Sequence, residues 1–245
     1  PWFGQIELGG GKEKNNHVRE GHQLKTYDVP IPPYFPDIPA LREAWAVHYN
    51  AVRGTDTRVQ EIIDLLKRDG EYENTIIFFL SDHGSNTSLR HKQFCYDGGL
   101  HVPLIIAGSH RWIEPGSRRP EIVSSLDISA TTLALGNARL PEYLDGQNLF
   151  DADYQPVEYI ISARDRCDYT IDRIRSVTSQ RYSYIRNFFP DRPLLQPQYR
   201  DDWKPVRELR KLHQNGELSE YHTQLWFGQR PEEEHIIFRI KKSFF

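Results

Sequence analysis

The feature that most constrains this fold is the run Thr75–Leu80, TIIFFL, which carries no charge and is rich in β-branched and aromatic side chains. An apolar run without alternation reads as a strand buried on both faces of a sheet. It ends in Ser81-Asp82-His83-Gly84, and a second apolar run, Val102 to Ala107, follows as the neighbouring strand. Ligands of open α/β sheets bind outside the carboxyl ends of the parallel strands. An acid and an imidazole at such an end therefore put two metal-type donors where a ligand is expected. Taken alone, the tripeptide fits a turn cap followed by a loop histidine at least as well. Between the two runs lie Arg90, His91 and Lys92, a basic segment placed to meet an anion.

Composition excludes several classes. The 245 residues suffice for one large α/β domain, or a main domain with a smaller partner. Net charge is −3 with both signs interspersed, so no basic stripe argues for nucleic acid, and no run approaches a membrane span. Cys95 and Cys167 form no disulfide framework. Five Trp and thirteen Tyr would suit a sugar-binding cleft, although most such rings are expected in the core. The chain lacks methionine and opens on Pro1-Trp2-Phe3, so it is expected to be a fragment, with any leader upstream.

Taken in order, residues 3–8 (FGQIEL) read as a buried strand ended by Gly9-Gly10-Gly11. Five prolines between Thr26 and Pro39 forbid a helix there. Leu41, Trp45, His48, Tyr49, Val52, Val59, Ile62, Ile63 and Leu66 then recur at helical spacing, with a kink expected at Gly54 and a stop at Gly70. Strand, crossover, helix and strand make a parallel βαβ unit. Ile122 to Gly136 reads as a short strand, a turn holding Asp127 and a helix. From Glu158 the texture changes. Tyr159–Ala163, Ile174–Val177 and Tyr182–Arg186 are short alternating strands joined by polar links, which predicts an antiparallel sheet, and residues 203–218 look helical. The expected division is residues 1–155 and 156–245. Arg164, Asp165, Arg166, Asp172 and Arg173 cluster around this sheet, as contacts for a sugar or as a salt-bridged surface.

The order Asp82-His83-Gly84, Lys92, Tyr96-Asp97, His101 and Val102-Pro103-Leu104 covers 23 residues in type and spacing. It resembles the corresponding part of type I, formylglycine-dependent sulfatases of the alkaline phosphatase superfamily. Tyr49, Asp56 and Val59 extend the resemblance, as do Leu144-Asp145-Gly146-Gln147-Asn148-Leu149 and Arg230-Pro231-Glu232-Glu233-Glu234. Ala130 departs from it, standing where proline is usual, and the tail HIIFRIKKSFF departs altogether.

The resemblance implies an α/β fold with an alkaline-phosphatase-like, mostly parallel central sheet and flanking helices. A small C-terminal antiparallel sheet subdomain with a helix completes it. It implies a sulfatase (sulfuric ester hydrolase), acting on sulfated carbohydrate through an upstream formylglycine. Asp82 and His83 are expected to help hold one Ca2+ whose other ligands lie before residue 1, although chemistry alone leaves Mn and Zn open beside an imidazole. Lys92 is expected to contact the sulfate. Lys12 falls where a histidine normally serves the leaving group, and lysine's usual pKa is far from that of an efficient acid at neutral pH. His17 and His22 are the substitutes. Arg90, His91, Arg164 and Arg166 are the expected substrate-binding residues. Neither cysteine has the Pro and Arg context of the nucleophile, so the chain is expected to hold half a site and to be inactive alone. Expected partners are a sulfated sugar or other sulfate ester and the upstream half of the same chain, in a secreted or periplasmic setting. A phosphoester or phosphonate monoester hydrolase of the superfamily and a non-catalytic sulfated-glycan binder are the rival readings.

Overall fold

The computed structural model describes residues 2–12, 18–108, 113–167 and 170–238, with Cys167 described in its main chain alone. His17 and the last residues of the tail, 239–245, lie outside the described residues. Helix α1 is Pro39–Arg68. Proline begins it well, because its missing N–H would be unpaired there and its φ is already helical. The helix runs unbroken through the buried Gly54. It stops as expected at Gly70, which takes φ 75°. The N–H of Gly70 then donates to Lys67 O and that of Glu71 to Leu66 O, satisfying the last carbonyls.

Strand β1 is Ile76–Leu80, and helix α2, Asp97–Leu100, separates it from β2, Leu104–Gly108. The strands pair antiparallel, from Ile76 opposite Gly108 to Leu80 opposite Leu104. Two expectations are corrected here. Residues 3–8 form no strand, and Phe3 and Ile6 are 74% and 62% exposed. A strand must pair its N–H and C=O groups, and among the described residues no strand pairs with this run, so the expected βαβ unit does not form. Nor is β1 buried on both faces: it is half-buried, and Leu80 and Ile105 are exposed.

Helix α3, Ser125–Leu135, begins at a capping box, in which the Ser124 N–H donates to the Asp127 carboxylate and the Ser124 hydroxyl accepts from Leu126 N–H. Asp127 also accepts from Gln147 N–H, and Thr131 from Leu149 N–H, which ties the Asp145–Leu149 segment to the helix. Ile122, expected in a short strand, makes a single bridge to Val157.

The C-terminal sheet forms as its alternation predicts. Strands β3 (Tyr159–Cys167), β4 (Thr170–Ser179) and β5 (Tyr182–Asn187) are joined by β6 (Glu233–Ile237) in the antiparallel order β3-β4-β5-β6. Helix α4 is Lys204–Gln214, and α5, Glu220–Phe227, was not anticipated. Nor was β6. One apolar cluster crosses residue 155: Leu41, Trp45, Leu89 and Phe94 pack with Ile174, Ile185, Val206, Leu209 and Trp226. Trp226, fully buried, stacks on Phe35 at 4.9 Å and donates to Tyr34 O. Each such side chain contributes about 1.5–3 kcal/mol of burial. The segment between β1 and α2 is thereby clamped between α1 and the C-terminal sheet, and that clamp positions the site. Among the described residues no helix is long and apolar enough to cross a membrane.

Candidate active site

The end of β1 is locked by glycine. Gly84 N–H donates to Gly99 O at 3.3 Å, and a Cβ on Gly84 would lie 1.7 Å from Gly98 O. Only glycine lets the Asp82-His83-Gly84 turn approach the turn that begins α2. Asp82 is 76% exposed at its side chain and His83 23%. The His83 Nδ1 lies 2.7 Å from Gly84 O and its Nε2 3.2 Å from Asp82 Oδ2. A neutral ring that donates from Nδ1 turns its Nε2 lone pair toward that carboxylate, so two electron-pair donors converge. A proton on Nε2 satisfies this arrangement, and so does a bound cation, for which a histidine held through its other nitrogen is the usual support. Among the described residues no three His, Cys, Asp or Glu side chains gather closely enough to hold a metal by themselves. Two donors fall short of the six to eight that calcium takes.

The basic segment divides in three. Lys92 is half-buried, its N–H donating to Ser85 O at 3.3 Å, with its ammonium 6.0 Å from the Tyr199 ring centre. Arg90 lies over the rings of Tyr96 (3.9 Å) and Tyr34 (5.4 Å), with Glu234 at 4.0 Å, so its charge faces protein groups. His91 lies 2.7 Å from the Tyr34 hydroxyl. Its pKa is pushed down to about 4, chiefly by burial and further by nearby His48 and Arg90. It is therefore a neutral hydrogen-bonding group at neutral pH.

Lys12 is exposed on a 3₁₀ turn, Gly10–Lys12. His48 of α1 links that turn to the end of β1: its Nδ1 lies 3.4 Å from Gly11 O and 3.5 Å from Ser85 Oγ. His22 is exposed, and its carbonyl accepts from Arg53. Arg164, 8% exposed at its side chain, faces the Phe94 ring at 4.1 Å and Asp172 at 3.7 Å, and donates to Gln93 O. Arg166 is exposed on β3 opposite Ile171. His48 ties the turn that ends at Lys12 to Ser85, and Lys92 is bonded through its main chain to the same Ser85, close after Asp82 and His83 in the chain. Arg90, His91 and Arg164, expected to bind substrate, point instead into the packing. Cys95 is buried and its thiol is pushed up, first by burial, which suits an inert side chain.

Sequence reasoning missed His48, Asn86, Tyr199 and Arg200. His48 was hidden in the helical apolar stripe. Tyr199 and Arg200 lie more than a hundred residues from the loop they touch, and no local pattern marks them.

The fold is that of an α/β protein, with the candidate site at the end of β1. A sulfatase family profile matches residues 13–138, about half of the chain, and the chain belongs to the sulfatase family. It is 35% identical over 233 residues to the ulvan-active sulfatase of Formosa agariphila, covering 92% of this chain and 38% of that protein. It is also 32% identical over 113 residues to arylsulfatase K of Xenopus laevis, covering 44% of this chain and 20% of that one. The chain spans well under half the length of these relatives. A solved structure titled a putative sulfatase, from Bacteroides fragilis, shares the fold at TM-score 0.53 and 19% identity, over 79% of this chain and 48% of that one.

Proposed function

We propose that this chain supplies part of the active site of a sulfuric ester hydrolase acting on a sulfated carbohydrate. Asp82 and His83 would be two ligands of a calcium ion, and Lys92 a cationic contact for a sulfate oxygen. The observation that carries the reading is the convergence of Asp82 Oδ2 and His83 Nε2 at 3.2 Å at the end of β1. Their chemistry fits part of a cation site, with an exposed hard oxygen beside a ring held through its far nitrogen by a backbone carbonyl. The remaining ligands, and a formylglycine nucleophile, would come from outside this chain. When bound, the cation would polarise the sulfate oxygens.

The chain's own residues have separable tasks. Asp82 and His83 would hold the metal, and Gly84 packs on Gly98 and fixes their turn. Lys92 would hold a sulfate oxygen as a point charge and counter negative charge as the ester bond breaks. Lys12, exposed and next in the chain to Gly11, whose carbonyl His48 meets, would face the leaving group. The carbohydrate class is supported by the ulvan-active relative, whose similarity runs over most of this chain.

The test is release of sulfate by the intact, matured protein from a panel of sulfated oligosaccharides and an aryl sulfate, beside matched phosphate esters, with calcium added or chelated. Calcium-dependent sulfate release is expected. Release of phosphate alone would transfer the protein to the phosphoester branch, and glycan binding without turnover would overturn the hydrolase reading.

A further inference from the structure

We propose that Arg200 is a positioning residue for Lys92. Its buried guanidinium fixes the loop of residues 85–93 and so sets where the Lys92 ammonium stands. The inference rests on the reading of Lys92 as a sulfate contact.

Arg200 comes from the connection between β5 and α4, yet it is fully buried against a loop more than a hundred residues earlier. Its Nη1 donates to Asn86 O at 3.0 Å and Ser88 O at 3.4 Å, and its Nη2 to Gln93 Oε1 at 3.4 Å. Gln198 Oε1 accepts from its Nε at 2.8 Å and orients the fork. The guanidinium therefore grips the loop on both sides of Arg90-His91-Lys92. Burying a charge is costly unless its donors are used. An apolar side chain could fill the same volume, so what the guanidinium adds is a planar set of directed donors.

Two further observations point to the same loop. Gln93, the residue after Lys92, has φ 77°, a strained region for a side chain with a Cβ, and such strain persists only where its surroundings enforce it. Here the enforcing groups are Arg200 on the Gln93 amide and Arg164, which donates to Gln93 O at 3.3 Å. On the other side, the Tyr199 hydroxyl donates to Asn86 Oδ1 at 2.7 Å, and its ring lies 6.0 Å from the Lys92 ammonium, within the outer range of a cation–π contact. Lysine carries its charge on a flexible four-carbon stem, so its reach is accurate only if its backbone is fixed. A displacement of about 1 Å in a group contacting the reacting centre can cost roughly a hundredfold in rate.

The experiment compares wild type, Arg200→Lys, Tyr199→Phe, Lys92→Ala and Arg200→Lys/Lys92→Ala in the intact protein. Readouts are steady-state sulfate release and hydrogen exchange of the loop amides, at matched thermal midpoints. Arg200→Lys should speed exchange across residues 86–93 and lower kcat roughly tenfold or more with KM little changed. Tyr199→Phe, which keeps the ring and is safe for folding, should give a smaller loss of the same kind. In the Lys92→Ala background, Arg200→Lys should add almost nothing, because the residue acts through the missing lysine. Fully additive losses, or unchanged loop exchange, would overturn the proposal alone. Unchanged turnover in Lys92→Ala would overturn the reading of Lys92 and this proposal with it.

Discussion

Two clusters in this chain each set an aspartate beside a basic side chain and use it in opposite ways. At the end of β1, Asp82 and His83 meet at 3.2 Å with the carboxylate 76% exposed. In the C-terminal sheet, the Asp172 side chain is fully buried and takes both Nη atoms of Arg230, at 3.0 and 2.8 Å. It also accepts from Gln196 and from Arg173 N–H. Arg230 spends its other donors on Arg192 O and Phe189 O. In the second cluster the carboxylate is closed off from solvent and turned to protein donors. The first has spare electron pairs and faces outward. Saturation and exposure separate a structural rivet from a candidate binding site.

Breaking the rivet should have the largest effect on stability. Asp172→Asn leaves Arg230 and Arg164 buried around a neutral group and should cost about 3–5 kcal/mol, measured by denaturant unfolding. Gly84→Ala should come next, at about 1–3 kcal/mol, since its Cβ would overlap Gly98 O and separate the two turns. It should also lower calcium affinity, read by calorimetry. The pH dependence is smaller. His91 stays neutral in the folded state down to about pH 4, whereas it protonates near 6.5 when unfolded. Between those values the unfolded state binds the extra proton, so stability is complete above about 6.5 and falls as the pH drops toward 4. Discounted for partial exposure, the loss is about 1–2 kcal/mol. His91→Gln should flatten that part of the stability profile. The smallest effect belongs to Arg166→Ala, exposed on β3, which should change stability by under ~0.5 kcal/mol.

Much of the fold was legible because periodicity reports burial directly. The stripe from Leu41 to Leu66 became α1, Gly70 capped it, and the alternating runs after Glu158 became β3, β4 and β5. Residues 3–8 misled because an apolar, β-prone run still needs a partner strand. Strand β6 was missed because Glu233 to Ile237 carries two acids and a histidine in a stretch that looked like a divergent tail. For the candidate site, the sequence offers Asp82, His83 and Lys92 by motif. The burial of Arg90 between tyrosines, the neutrality of His91 and the reach of Arg200 could not be read from it, because each depends on which distant surface a side chain meets.

The most direct test of the central claim, that Asp82 and His83 form part of a catalytic cation site, is to measure calcium affinity, sulfate release and thermal midpoint together for Asp82→Ala in the intact protein. The account predicts a calcium affinity weakened at least tenfold and turnover lowered by roughly a hundredfold or more. The midpoint measured without calcium should stay within about 2 °C of wild type, as expected for an exposed side chain. Calcium affinity and turnover both unchanged by the substitution would contradict it.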